Sequence, residues 1–393
     1  MLGVSAPRLA DVVHLLERRY PPSTAESWDA VGLVSGDPDQ PVAKVLFAVD
    51  PAPAVVSEAV EWGADLLVVH HPLLLTPVHG VAATSPKGRA VHRLTRAGTA
   101  LLTAHTNADL PADGVNESLA RAVGIVDPQV LEASPEALPA LDKLVVYVPH
   151  EHADAVRAAL AGAGAGVRGD YEGCTFTSTG EGRFRPLDGA RPVIGRVGEV
   201  EVVPESRVET VLPRQLRSRV VAAMLAAHPY EEVAYDVLEL ASVPGAQTPS
   251  RGHGRIGRLM ALTTLRGFAE QVAAALPGTA HGVRVAGDPD RRVETVVVGS
   301  GAGDYLLDSV LGTDADVYLT SDLRHHRAGE FLEHEGPALV DVAHWAAEWT
   351  WLPVVEAKLR AAVAAAGDTV DTRVSEVVTD PWTFRTDHPR SRP

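Results

Sequence analysis

The sequence predicts an α/β protein: a split two-part α/β core with an inserted ferredoxin-like α+β domain. Three observations predict it. Apolar strand-like runs alternate with amphipathic helix-like stretches over residues 43–124, the same alternation returns from residue 291, and the roughly hundred residues between them read β-α-β…β-α-β instead. The expected boundaries are 1–130 for the N-terminal half of the core, 140–245 for the insert, 250–368 for the C-terminal half and 369–393 for a tail.

Along the chain, RLADVVHLLERR (8–19) places Leu9, Val12, Val13, Leu15 and Leu16 on one helical face, and Pro21 and Pro22 stop the helix. AKVLFAVD (43–50) reads as a strand, PAPAVVSEAVEWG as a helix ended by Gly63, and ADLLVVHHP as a second strand, together a βαβ unit. KGRAVHRLTRAG (87–98) repeats the helix, TALLTAHTNAD (99–109) the strand with its loop, and GVNESLARAVG (114–124) a further helix. The three prolines of DPQVLEASPEALPALD (127–142) break the pattern and mark a boundary. The insert then runs from Lys143 to Leu240, and a Ser-, Pro- and Gly-rich loop (241–254) leads back to the core. There RRVETVVVGSG, DVYLTSD and PALVDVAHW read as strands, with GDYLLDSVLGT and RHHRAGEFLEHEG as the helices between them. Beyond about residue 368 periodicity fades, and DHPRSRP reads as a mobile tail end.

Composition narrows the function classes. A chain of 393 residues with 46% hydrophobic and 22% charged residues is ordinary for a folded soluble protein. Thirty-five basic against fifty-one acidic residues leave a net charge of -16, which disfavours nucleic acid as a partner because phosphate backbones need clustered Lys and Arg. Cys174 is the single cysteine, so no intrachain disulfide and no thiolate cluster can form, and a metal site must use His and carboxylates. No leader-like start and no run of eighteen apolar residues is present, so a cytoplasmic location without membrane partners is expected.

In an open α/β sheet, ligands collect at the carboxyl ends of strands. Four predicted strands end in metal-competent residues: His70 and His71, His105 and Asp109, Asp322, and His344. Adjacent strand residues point to opposite sides, so His70 and His71 suit two different ions better than one. In HWAAE, His344 and Glu348 are four apart and share a face if a helix begins there. His70, His71, Asp109, His344 and Glu348 thus supply three imidazoles and two carboxylates, enough for two divalent ions if one carboxylate bridges; Zn, Fe, Mn and Co all accept such ligands. His105 and Asp322 are candidates to orient those ligands, and His326 is the candidate catalytic acid or base. The turn VVVGSGAGD carries Asp304 where the last glycine of a dinucleotide loop would stand, so a close-packed turn lining the cleft is expected in place of cofactor binding. No G-x-S-x-G elbow supports a covalent nucleophile.

Six ordered segments, SWDAVGLVSGD (27–37), LLVVHHPLL (66–74), HTNADLPADGVNESLA (105–120), VRVAGDPDRRVETVVVGSGAGD (283–304), TSDLRHH (320–326) and AHWAAE (343–348), resemble the Nif-three-like family of dinuclear metal-centre proteins, many of them labelled GTP cyclohydrolase I type 2 homologues. The resemblance covers about residues 8–126 and 252–365. It implies that His70, His71, Asp109, His344 and Glu348 bind two metal ions, Glu348 bridging, with His70 and His344 on one ion and His71 and Asp109 on the other. It also implies a toroidal homohexamer and an insert similar to PII and CutA-type proteins, of which HPYEEVAYDVLEL (228–240) is similar to one stretch; His228 and Glu231 there read as a structural turn. Ala30 stands where Asn is common in the family, and Ser321 and Ala343 where Gly is common; none removes a ligand.

The functional expectation is a metal-dependent hydrolase acting on a nucleotide or related small molecule. Its alternative is a non-catalytic metal-binding or regulatory hexamer whose insert senses a ligand.

Overall fold

A computed structural model describes residues 6–134, 140–168, 170–241 and 251–386; the proposed tail end DHPRSRP lies outside them. The chain divides into two compact units, one formed by Met1–Ala137 with Thr248–Pro393 and the other by Leu138–Gln247. Among the described residues, no helix is long and apolar enough to cross a membrane.

The first unit begins with α1 (Leu9–Arg19), β1 (Gly32–Ser35), β2 (Lys44–Ala48), α2 (Pro53–Trp62), β3 (Leu66–Val69), α3 (Pro86–Ala97), β4 (Ala100–Thr103), the single-turn α4 (Thr106–Asp109), α5 (Val115–Ala122) and β5 (Ile125–Ala133). Gly63 and Gly98 end α2 and α3 at φ +71° and +73°, a left-handed closure that a side chain would oppose. The insert contributes β6 (Leu141–Pro149), α6 (Ala153–Gly162), β7 (Thr175–Phe184), β8 (Glu201–Pro213), α7 (Arg217–Ala227) and β9 (Tyr235–Glu239). The first unit resumes with β10 (Gly252–Thr264), α8 (Leu265–Ala275), β11 (Val283–Ala286), β12 (Arg292–Ala302), α9 (Leu307–Leu311), β13 (Val317–Ser321), α10 (His325–Glu333), β14 (Ala338–Val342), α11 (His344–Trp349), α12 (Leu352–Ala365) and β15 (Asp371–Val374).

Two sheets form the first unit, ordered β1-β4-β3-β2-β15 and β11-β14-β13-β12-β10-β5. Strands β15, β2, β3 and β4 run parallel, as do β12, β13 and β14. Their continuous apolar sequences follow from burial on both faces. Val45, Phe47, Leu66, Val68 and Leu102 enter a core shared with Val296, Val298, Val317, Leu319 and Val340 of the second sheet, together with Leu9, Val12 and Leu16 of α1. The alternate residues Leu46, Leu67, Val69 and Leu101 face an outer core with Val56 of α2 and Leu94 of α3. Val297, Tyr318 and Leu339 likewise face Leu307 and Val310 of α9 and Phe331 of α10.

Arg255 on β10 is 1% exposed and staples the two halves. Its Nε donates to Glu117 Oε2 at 3.0 Å, and its remaining N–H groups donate at 2.8 Å to the carbonyls of Gly252, Gly254, Leu110 and Pro111.

Two segments differ from expectation. Residues 127–133, read as the start of a boundary loop, belong to β5; it is an edge strand, where Pro128 removes no needed ladder bond. The start of the proposed tail forms β15, the other sheet's edge, where alternate exposure of a four-residue strand leaves little apolar pattern to read.

The insert shows the β-α-β-β-α-β order with its antiparallel sheet arranged β7-β8-β6-β9, the ferredoxin-like topology. Leu144, Val146, Val148, Val156, Leu160, Val208, Val220 and Met224 fill its core. His228 donates from Nε2 to the Tyr147 carbonyl (2.9 Å) and accepts the Tyr230 N–H at Nδ1 (3.1 Å), while Glu231 accepts the Arg191 N–H, so both serve a turn.

Candidate metal centre

Five parallel strands bring polar residues to their carboxyl ends: Asp50 after β2, His70 and His71 after β3, His105 after β4 and Asp109 at the end of the α4 turn that follows, Asp322 after β13, and His344 and Glu348 on α11 following β14. Because β3 ends at Val69, the pair His70 and His71 escapes strict strand alternation and the two rings lie side by side, centroids 5.0 Å apart.

Glu348, 3% exposed, is the hub. Its Oε1 lies 2.8 Å from His344 Nε2 and 3.4 Å from His70 Nε2, and its Oε2 lies 3.0 Å from His71 Nε2. Asp109 Oδ1 lies 3.8 Å from His70 Nε2. His105 joins the group, its ring centroid 5.1 Å from that of His70 and 5.5 Å from that of His71.

Each imidazole is held from behind through Nδ1, leaving Nε2 aimed inward. His70 donates to the Ala104 carbonyl (2.9 Å), His71 meets Asp50 (2.7 Å), His344 meets Asp322 (2.7 Å) and His105 meets Asp29 (2.8 Å). Asp29 is itself fixed by the Thr106 backbone N–H (3.0 Å) and hydroxyl. Asp322 holds a left-handed backbone, φ +55°, in placing its carboxylate. Thr379 donates to Asp50, so the C-terminal segment also braces His71. Asn116 ties the Asp109 carbonyl (3.1 Å) to the Ser300 N–H (2.8 Å), joining the two halves beneath the cluster.

Burial alone would depress the imidazoliums, but Glu348 and the Nδ1 carboxylates outweigh it, raising His71 to about 10 and His344 to about 11. Burial and then the like charge of Glu348 push Asp109 up to about 7. Glu348 goes the other way: burial opposes its charge, and His344, His71 and His70 hold it well below the usual carboxylate range.

The donor set fits divalent metal. Among the described residues, His70 Nε2 and Asp109 Oδ1 are buried without a hydrogen-bond partner, and Glu348 Oε2 makes no hydrogen bond despite its approach to His71. Two overlapping groups, His70 with His71 and His105, and His71 with His344 and Glu348, each bring one ligand atom per residue within 4.8 Å of the others. Gly301 closes this space: at φ +67° a Cβ would sit 3.0 Å from Glu348 Oε1 and 3.4 Å from His344 Nε2. The glycine turn is therefore a packed wall of the cleft, with Gly299 and Gly303 pressed against Tyr318 and Thr320.

A hollow of about 240 Å³ opens beside His71 and His344, lined also by His281, Asp380 and Trp382. A second of about 320 Å³, with Lys87 on its wall, meets it at Asp50, His71 and Thr379. Asp380 Oδ2 is a further buried oxygen without a hydrogen-bond partner among the described residues.

The five sequence-proposed ligands are thus brought together, with His105 beside them and Asp322 behind His344. His326 is not gathered with them; it is exposed on the first turn of α10 with its ring against His325. Asp29, Asp50 and Thr379 were missed. Asp50 ends the strand AKVLFAVD, the same strand-end signal that singled out the others, whereas Asp29 and Thr379 lie in loops whose pairing with a distant histidine or carboxylate leaves no local pattern.

Known proteins resemble the whole chain. The family model described as Duf34/NIF3 (NGG1p interacting factor 3) matches residues 7–381. A Mycobacterium tuberculosis protein named GTP cyclohydrolase 1 type 2 homolog is 51% identical over 385 residues, covering 98% of each chain. A Bacillus subtilis protein of the same name is 39% identical over 374 residues, covering 95% of this chain and 97% of its own. The crystal structure of a Bacillus cereus protein related to NIF3 aligns at TM-score 0.70 and 36% identity over 97% of this chain and 100% of that one. A Staphylococcus aureus structure aligns at TM-score 0.76 and 27% identity over 97% and 99%.

Proposed function

Because the chain belongs to the Duf34/NIF3 family, we propose that its cluster holds two divalent metal ions and hydrolyses a nucleotide or related small molecule. The observation that carries this reading is the division of imidazoles between the two Glu348 oxygens. Oε1 faces His344 and His70 while Oε2 faces His71, the arrangement a bridging carboxylate needs. In this assignment His70 and His344 serve one ion, and His71 and Asp109 the other.

Such an ion pair, when bound, supplies Lewis-acid activation of water and a clamp for a phosphoryl or carbonyl oxygen. The chain's own part is positional: Asp50 and Asp322 fix the tautomer and direction of His71 and His344, and Glu348 is kept ionised among imidazoles. The two hollows meeting at His71 support a substrate with a ring toward Trp382 and an anionic group toward Lys87. The names of the relatives favour a nucleotide. His326, at the start of the helix that follows Asp322, is proposed as a proton carrier; His326→Ala should lower turnover while leaving metal content unchanged.

Elemental analysis of protein purified without chelator should give about two ions per chain, falling sharply in His70→Ala/His71→Ala. Metal-loaded protein should then turn over a member of a nucleotide and phosphoester panel. No turnover across the panel, with Glu348→Ala changing metal content alone, would leave the non-catalytic reading, which the ligand-sized cavity of the insert also favours. The homohexamer belongs to the same proposal, and its test is a native mass of six times the 41.5 kDa chain.

A further inference from the structure

We propose that the inserted unit carries a binding site for small organic cations, an ammonium or amidinium group on an apolar body, with Glu205 as the recognising carboxylate. The site is a cavity of about 530 Å³ whose walls include Phe184, Leu187, Ile194, Tyr147 and Tyr230. That volume lies in the range that small-molecule sites occupy, and an apolar lining with a few placed polar groups is their usual chemistry.

Glu205 lines the cavity yet is only 8% exposed. Among the described residues its carboxylate has one hydrogen bond, from the Tyr230 hydroxyl, 2.9 Å from Oε1. No Lys, Arg or His among the described residues forms an ion pair with it. The nearby histidine does not supply the missing charge: His228 uses Nε2 as donor and Nδ1 as acceptor, which is the neutral ring. Of the other charged groups of the wall, Glu181 is paired to Arg183 and Glu231 is bonded to the Arg191 N–H, while Arg185 and Glu232 are exposed and Arg185 forms no ion pair with Glu205 among the described residues. A carboxylate withdrawn from water with one phenol for company retains unmet capacity to accept hydrogen bonds, and it favours a cation that brings N–H donors.

The surroundings are shaped to this carboxylate. Gly182 on β7 lies where any Cβ would collide with the Glu205 carboxylate, so the glycine leaves the space that the acid occupies. Phe184 and Tyr230 meet edge-on at 5.5 Å between centroids, leaving ring surface to receive the apolar part of a ligand and to add cation–π attraction.

The probe is benzamidine, titrated calorimetrically into the full-length protein, with benzamide as the neutral isostere and benzoate as the anion. Benzamidine should bind with Kd below about 1 mM, and benzamide and benzoate at least about tenfold more weakly. Glu205→Gln keeps an oxygen for the Tyr230 hydroxyl and so preserves the fold, yet should weaken benzamidine at least about tenfold. Gly182→Ala, which leaves the charge and displaces the carboxylate, should weaken it as well. Equal affinity for benzamidine and benzamide, no binding by the folded wild type, or an unchanged affinity in Glu205→Gln would overturn the proposal. So would a Glu205→Gln protein whose native mass changes while benzamidine affinity does not, since the cavity would then be an interface between copies.

Discussion

Replacing Arg255 by Lys tests how the two halves of the first unit are held together. Arg255 spends all five N–H donors in a site 1% exposed: one on Glu117 and four on the carbonyls of Gly252, Gly254, Leu110 and Pro111. A lysine ammonium offers three donors, so at least two of these five buried acceptors lose a hydrogen bond, while the Leu110 and Pro111 carbonyls keep the N–H groups of Gly252 and Gly114. At about 1.5–3 kcal/mol for each lost hydrogen bond to a charged group, the loss is about 4 kcal/mol. Glu117 keeps its bonds from Arg121 and adds little to this. For a unit of about 280 residues, about 4 kcal/mol lowers Tm by about 7 °C. All six tryptophans, Trp28, Trp62, Trp345, Trp349, Trp351 and Trp382, belong to the first unit, so tryptophan fluorescence during denaturant unfolding reports that unit without the insert. Leu110 and Pro111 directly follow Asp109, so metal affinity should fall in parallel. A shift below about 1 kcal/mol at wild-type m-value would refute the stapling role.

Three further outcomes are expected. Gly301→Ala places a Cβ 3.0 Å from Glu348 Oε1 at φ +67°, so it should cost about 1 kcal/mol of stability and most of the bound metal; full metal content would count against the packed wall. Metal binding should release protons: with His71 at about 10 and His344 at about 11 in the metal-free protein, both must lose a proton to coordinate, and Asp109 at about 7 adds to this below neutral pH. Apparent affinity therefore rises with pH between about 6 and 9, and calorimetry in buffers of different ionisation enthalpy should show about two protons released at pH 8; pH-independent binding would contradict it. In the insert, Asp142 is fully buried and bonded to Arg217 and Arg214, with the Arg217 hydrogen bond foremost in holding its pKa down. Its contribution is present above the ordinary carboxylate range and lost as pH falls below about 4, and Asp142→Asn should destabilise the insert by about 1–3 kcal/mol in far-UV CD melts at pH 7, vanishing at low pH.

Much of this architecture was legible because both sheets of the first unit are buried on two faces. Runs such as KVLFA and DLLVV have no other stable use than parallel strands under helices, and the polar residues that interrupt them at their ends converge by topology. His70, His71, Asp109 and His344 came from that rule, and Glu348 from its spacing of four from His344. What escaped lies at edges and in loops. Strand β5 carries Pro128 and β15 is half exposed, so neither shows an apolar period, yet β15 leads into Thr379 and Asp380 beside the cluster. Asp29 pairs with a histidine 76 residues away, a relation set by tertiary structure alone. Alternation along a strand also proved a poor guide to the HH pair: the strand stops at Val69, and the different directions of His70 and His71 come instead from the two oxygens of Glu348.

The central claim is that Glu348 bridges two ions with this division of imidazoles. The most direct measurement is an anomalous-scattering crystal structure of protein purified without chelator. Two peaks roughly 3.5–4 Å apart should appear, one bounded by His70, His344 and Glu348 and the other by His71, Asp109 and Glu348. A single peak, or a pair that Glu348 does not join, would contradict it.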